Sequence, residues 1–150
     1  MIRVQRQDFD PGEEITKVQR SRGDVGALVS FLGLVRGESG GERLTSMTLE
    51  HFPGMTEREL ERMEKEARER WQLSDVTIVH RVGELKPGDR IVLVVTAATH
   101  RQAAFEAAEF LMDYLKTRAP FWKREFRTSG EHWVEARDGD DDAAARWRKG

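Results

Sequence analysis

Cysteine is absent from the 150-residue sequence. Disulfides, thiolate zinc sites and a cysteine nucleophile are therefore excluded. Long apolar runs are also missing, and a membrane-crossing helix needs roughly 18 such residues. The opening MIRVQRQDFD has no apolar stretch of the kind a secretory signal carries, so a cytoplasmic protein is expected. Neither sign of charge dominates: Lys+Arg number 25 against Asp+Glu 27, for a net charge of −2. A general nucleic-acid binder would show a basic excess, so that class is set aside. The four histidines, at 51, 80, 100 and 132, show no i, i+4 pair, and no metal site is expected. His51 and His80 read as structural.

What is present fits one domain spanning 1–150, with 138–150 as a tail that can move. Residues 2–6 read as a strand and 12–20 as a short helix. VGALVSFLGLV (25–35) is an apolar, β-branched run and predicts a buried strand. RGESGGER (36–43) carries three glycines and predicts a flexible loop, with 44–52 as the returning strand. Thr56 and Glu59 form a capping-box pattern opening a helix whose inward face is Leu60, Met63, Ala67 and Trp71. Strands follow at 75–82 and 90–97, joined as a hairpin through the turn Lys86-Pro87-Gly88-Asp89. Thr99 and Gln102 suggest a second capping box. The helix it opens runs to about Thr117, with Phe105, Ala108, Met112 and Leu115 inward, and Pro120 stops it. Strands at 121–127 and 132–136 flank Thr128-Ser129-Gly130. Mixed hairpins and helices make the fold class α+β.

Three groups of residues could carry chemistry. His100 and Arg101 stand at a helix start, where free N–H groups already favour an anion; two exposed polar residues are the plainer alternative. Lys116, Arg118, Lys123 and Arg124 surround a Pro-aromatic step, although cations at a helix C-terminus are also favoured by the dipole. Lys123 and Arg124 point to opposite faces of a strand, so one at most shares a face with Lys116. Between 100 and 127 there are six basic and four acidic residues, a balance suited to a small anion. Arg36 ends an apolar strand and enters the glycine-rich loop. That loop is not a Walker A sequence, since no Gly-Lys-Ser/Thr follows.

LEHFPGMTE (49–57), IVHRVGELKPGD (78–89), THRQAAFEA (99–107), MDYLKTRAPFWKRE (112–125) and WVEARD (133–138) together resemble the large, catalytic subunit of molybdopterin synthase. The resemblance runs from about residue 9 to Trp147, and the MDYLKTRAPFWKRE block is its most specific part. It implies an α/β-hammerhead fold with additional antiparallel strands, and a homodimer within a heterotetramer. It implies a sulfurtransferase without a cofactor of its own. The partner implied is a small ubiquitin-like sulfur carrier whose Gly-Gly tail ends in a thiocarboxylate. The substrate implied is cyclic pyranopterin monophosphate, and the product the molybdopterin dithiolene. The sulfur then arrives on the partner, which suits a chain without cysteine.

By motif, the resemblance assigns substrate contacts to Leu34, Val35, Arg36, His100, Arg101, Lys116, Lys123, Arg124 and Glu125, with Arg137 a further candidate. Arg36, His100 and Arg101 would hold the phosphate. Lys116 and Lys123 are the expected catalytic groups, Lys116 as electrostatic stabiliser or general acid and Lys123 as the group that orients the thiocarboxylate. A scaffold that merely docks a peptide C-terminus would use a similar cationic pocket. A phosphate-ester hydrolase fits less well, because no nucleophile or metal cluster is evident.

Overall fold

Two sheets, rather than one, organise the chain. The computed structural model describes residues 1–134 and 138–148. In order they form β1 (Ile2–Gln5), α1 (Pro11–Gln19), β2 (Ala27–Leu34), β3 (Glu38–Ser39), β4 (Glu42–His51), α2 (Met55–Arg70), β5 (Leu73–Arg81), β6 (Gly83–Leu85), β7 (Arg90–Ala98), α3 (Arg101–Thr117), β8 (Phe121–Arg127), β9 (Gly130–Val134) and α4 (Asp138–Ala145), then a 3₁₀ turn, Arg146–Arg148. The first sheet has the order β1-β5-β7-β2, and the second β3-β4-β8-β9 with β6 also on β4. Only β1 and β5 are parallel among the described pairs. The architecture is mixed α+β. No helix of the described residues is long and apolar enough to cross a membrane.

RIVLVVTAA becomes the centre of the first sheet because both of its faces are covered, which a near-continuous apolar strand requires. Leu93, Val95 and Ala97 pack with Phe9 and Val18 on the α1 side. Val92, Val94 and Ala98 face the larger core built from α2 and α3. The β5–β7 hairpin is closed by the expected turn. Asp89 N–H donates to the Lys86 carbonyl at 2.9 Å, and Gly88 takes φ +90°, which suits glycine.

The structure changes several local expectations. β2 is not buried: it sits at the sheet edge, leaving Phe31, Leu32 and Leu34 at 41%, 38% and 50% exposure. Hydrophobicity alone does not reveal whether a strand has neighbours on both sides. Residues 36–43 hold a tight hairpin rather than a flexible loop. Glu38 and Ser39 pair with Arg43 and Glu42 around Gly40 and Gly41, both at positive φ. That hairpin carries β4 into the second sheet, so 44–52 does not return beside β2.

Helix starts also shift. α2 begins after Gly54, whose N–H donates to Glu57 Oε2 at 3.2 Å. Thr56, expected as the cap, is buried. Its hydroxyl accepts from Phe52 N–H at 3.0 Å and donates to the Pro120 carbonyl at 3.1 Å. Leu60, Met63 and Ala67 do form the buried face, while Trp71 caps the helix C-terminus half-buried. α3 has His100 at its N-cap with no side-chain cap, so Thr99 and Gln102 form no capping box. Phe105 faces out, at 60% exposure. The inward face is Ala104, Ala107, Ala108, Phe110, Leu111, Tyr114 and Leu115, since 3.6-residue spacing leaves 105 off that stripe. Beyond α4, Trp147 packs edge-on against Trp71 and Phe110, and its Nε1 donates to Asp113 at 2.6 Å.

Gly26 joins β2 to the α3 start. Its N–H donates to the Ala98 carbonyl at 3.0 Å, and a Cβ there would lie 2.2 Å from the Thr99 carbonyl oxygen. Gly26→Ala is expected to lower stability by roughly 1–3 kcal/mol, as overpacking does. Urea unfolding followed by circular dichroism checks this, and an unchanged midpoint would refute it.

Candidate active site

The end of α3 and the start of β8 are separated only by Arg118, Ala119 and Pro120. Proline cannot continue the helix, and Thr56 holds the Pro120 carbonyl, so the chain reverses into the second sheet at a fixed point. The last turn of α3 therefore delivers Lys116 beside the strand that carries Lys123. Along β8, Phe121, Lys123 and Glu125 share one face by the two-residue period, and all three line a cavity of about 500 Å³. Lys116, Arg36 and the β2 segment Phe31–Leu34 complete much of its wall, with Asp140 from α4.

Val35 is buried, and both of its backbone groups are fixed. Its N–H donates to the Asp89 carbonyl at 2.9 Å, and its carbonyl accepts from Gly88 N–H at 2.8 Å. That anchor places Leu34 and Arg36 on either side of it in the cavity lining. The expected contacts Leu34, Arg36, Lys116, Lys123 and Glu125 are thus brought together, while Val35 is in the core and not in the lining. Arg124 faces the other way. It pairs with Glu50 and Glu131, each at 3.1 Å, and lies over the Trp133 ring. His100 and Arg101 border a separate open depression with Gly26, Ala27, Thr99 and Gln102. Arg137 lies outside the described residues.

Electrostatics single out Lys123. Burial, then the Lys116 ammonium beside it, lower its pKa from 10.5 to about 8, and Arg36 adds to the effect. The two lysine side chains lie close together in the cavity wall. Glu125 is held by Arg127 at 2.7 Å and by Ser39. Burial pushes its carboxyl up, but those hydrogen bonds and the Arg127 and Lys123 charges outweigh burial, leaving it below the ordinary carboxylate range. Glu125 stays an anion already engaged by other groups, and the cavity keeps a cationic character.

Sequence reading missed His80 as a site residue. It lies on β5 and lines the same cavity, stacked flat on Phe121 with ring centroids 3.8 Å apart. A polar ring directly after Ile78 and Val79 in an expected strand was the available signal, because a buried polar group needs a partner. Asp140 gave no comparable signal.

Comparison with known proteins bears on what such a cavity belongs to. The family model described as MoaE protein matches residues 4–118. The chain belongs to this family. Among MoaE relatives, the molybdopterin synthase catalytic subunit of Mesorhizobium japonicum is 57% identical over 149 residues, covering 98% of this chain and 92% of its own. The solved molybdopterin biosynthesis MoaE protein of Burkholderia ambifaria MC40-6 superposes with a TM-score of 0.84 at 51% identity, covering 99% of this chain and 97% of that one. A chain of the solved complex of subunits 1 and 2 of the molybdopterin-converting factor from Helicobacter pylori 26695 shares the fold. There the TM-score is 0.75 at 20% identity, with 91% of each chain covered.

Lys123 should titrate with a midpoint near 8, and Lys116→Ala should raise it by removing a like charge. Side-chain NMR of lysine-labelled protein reads both values; a midpoint near 10.5 in the parent chain would overturn the arrangement. The folded pKa lies below the unfolded one, so the buried ammonium opposes folding at neutral pH. Through this group, stability rises as pH climbs from about 8 to 10.5.

Proposed function

We propose that this chain is the catalytic subunit of a molybdopterin synthase acting in the cytoplasm. It transfers two sulfurs to cyclic pyranopterin monophosphate from the C-terminal thiocarboxylate of a small ubiquitin-like carrier, giving the molybdopterin dithiolene. The observation that carries this reading is the Lys116–Lys123 pair in one cationic cavity, in a member of the MoaE family.

The chemistry follows from charge. Sulfur transfer builds negative charge on an acyl oxygen and on the departing phosphate oxygen, and preorganised cations stabilise such charge most where water is scarce. Lys116 faces that charge. Lys123, with a weakened hold on its proton, both neutralises the thiocarboxylate and supplies a proton near neutral pH. Arg36 holds phosphate from the β2 end. At about 500 Å³ the cavity lies in the range of small-molecule sites.

The proposal includes a homodimer at the centre of a heterotetramer. The exposed Phe31, Leu32 and Leu34 on the edge strand support a covered surface there. Arg101 and Lys116 are fifteen residues apart on one helix, about 22 Å at 1.5 Å per residue. One small pterin phosphate does not span that length, so His100 and Arg101 would serve the site of a second copy.

The decisive assay measures sulfur transfer from thiocarboxylated carrier to purified pterin phosphate with and without the chain; no dependence on the chain ends the proposal. Lys116→Ala should lose nearly all turnover with an unchanged circular dichroism spectrum. Turnover kept within about threefold, under roughly 1 kcal/mol, would remove Lys116 from the mechanism. Arg101→Ala should mainly weaken pterin phosphate binding in a calorimetric titration. Refolding a mixture of Arg101→Ala and Lys116→Ala chains should restore about a quarter of parental activity, since half the dimers then hold one intact site of two. A dead mixture whose heterodimers are seen by mass spectrometry would place both residues in one subunit's site.

A further inference from the structure

The cavity wall holds three side chains that only donate and three that can accept. Arg36, Lys116 and Lys123 can only donate when charged. Among its described lining residues, the side-chain oxygen or nitrogen acceptors are Glu125, Asp140 and His80. Glu125 is engaged by Arg127 and Ser39. His80 is different in kind. Its Nδ1 lies 2.8 Å from the Arg81 carbonyl, and a carbonyl can only accept, so Nδ1 carries the proton. Nε2 is then a bare lone pair, and it has no hydrogen-bond partner among the described residues. The ring is 7% exposed and clamped against Phe121 at an interplanar angle of 13°. Burial lowers its pKa to about 3; the bond to Arg81 opposes that shift, and Lys123, Lys116 and His51 reinforce it. At any pH the protein meets, this ring is a neutral acceptor.

Neither Lys116 nor Lys123 donates to this nitrogen, so it is open to a ligand that presents an N–H. An extended peptide C-terminus does so. Its terminal carboxylate or thiocarboxylate is satisfied by the lysines, and its last backbone N–H then needs an acceptor once buried. Phe121, under His80, precedes Lys123 by two residues on the same strand face, about 7 Å along β8. His80 and Lys123 thus line the same cavity, one able to accept an N–H and the other to face a carboxyl end.

We propose that His80 Nε2 accepts a hydrogen bond from the backbone N–H of the last residue of the carrier tail, making His80 a positioning residue for the sulfur donor. The inference rests on the proposed carrier-dependent function and specifies how its tail is held.

The test is a cycle between protein and carrier. A semisynthetic carrier in the stable carboxylate form has its terminal glycine N–H replaced by an ester oxygen, and binding is measured by calorimetry. In the parent chain the ester carrier should bind roughly five- to tenfold more weakly, as expected for one neutral hydrogen bond. In His80→Phe, which keeps a ring over Phe121, that penalty should vanish. In His80→Gln, which keeps an acceptor near the Nε2 position, it should return. An equal penalty in the parent and His80→Phe would send the N–H elsewhere, for instance to the free edge of β2. No penalty in the parent chain overturns the proposal outright. Should His80→Phe fail to fold, ¹⁵N NMR of the parent ring decides: Nε2 should shift with the amide carrier and not with the ester. A shift produced by the pterin phosphate alone would assign Nε2 to the pterin and end the tail proposal. Sulfur transfer is read separately, so absent transfer with His80-dependent binding intact would refute the function and keep the hydrogen bond.

Discussion

Two ammonium groups held side by side are the constraint on which the rest of the site depends. Left free in water, Lys116 and Lys123 would separate. Here one stands on the last turn of a helix and the other seven residues on, in a strand, with a proline-stopped reversal between them. The reversal is held from within and from α2: Phe121 N–H donates to the Ala119 carbonyl at 2.8 Å, and the Thr56 hydroxyl donates to the Pro120 carbonyl. The helix cannot slide away, since Phe110, Leu111 and Tyr114 are buried in the main core. Packing energy far from the cavity thus holds two like charges together, which is the form site strain commonly takes.

Glu125, on the same strand face, offsets that repulsion only in part. Glu125 is the obvious counter-charge, yet Arg127 and Ser39 compete for it. His80 is neutral and brings no counter-charge, and its Nε2 takes no hydrogen bond from either lysine. Arg124 removes itself to the opposite face, where Glu50 and Glu131 neutralise it. An anion entering from outside relieves the Lys116–Lys123 repulsion. Binding and charge stabilisation draw on the same interaction, the economy expected of a preorganised electrostatic site.

Much of this was readable from residue order, and the failures have physical causes. The Pro120 stop, the Pro-Gly turn at 86–89 and the buried Leu60, Met63 and Ala67 stripe are local, and local chemistry survives folding. Strand alternation alone also puts Lys123 and Arg124 on opposite faces. What failed was relational. VGALVSFLGLV looks the same in sequence whether a strand is central or at an edge, and only the sheet order distinguishes them. Thr56 made a sound local cap, but a tertiary bond to Pro120 used its hydroxyl instead. His80 lies in the IVHRVGELKPGD block but drew no role there, because its significance comes from Phe121, forty-one residues away, and from lysines that arrive by another route.

The position of His100 and Arg101 follows from the same geometry. A helix of 17 residues presents its positive end and its negative end to different neighbourhoods. Cations at the C-terminal end, Lys116 and Arg118, agree with the dipole; Arg118 also lies 4.0 Å over the Tyr114 ring. Cations at the N-terminal end disagree with it, and α3 has no acidic residue in its first turn to compensate. Arg101 therefore stands where the helix itself disfavours it, beside N–H groups that already favour an anion. Such an arrangement is reasonable where phosphate is bound and costly where nothing is. On the proposed reading, the anion belongs to a site completed by another copy's Lys116, because no straight helix brings its own two ends together. The edge strand β2 lines the Lys116 cavity and, through Gly26 and Ala27, also borders the depression beside Arg101. A second copy seated along that strand would meet both ends of α3, making the exposed apolar edge and the divided cationic residues two consequences of one symmetric contact.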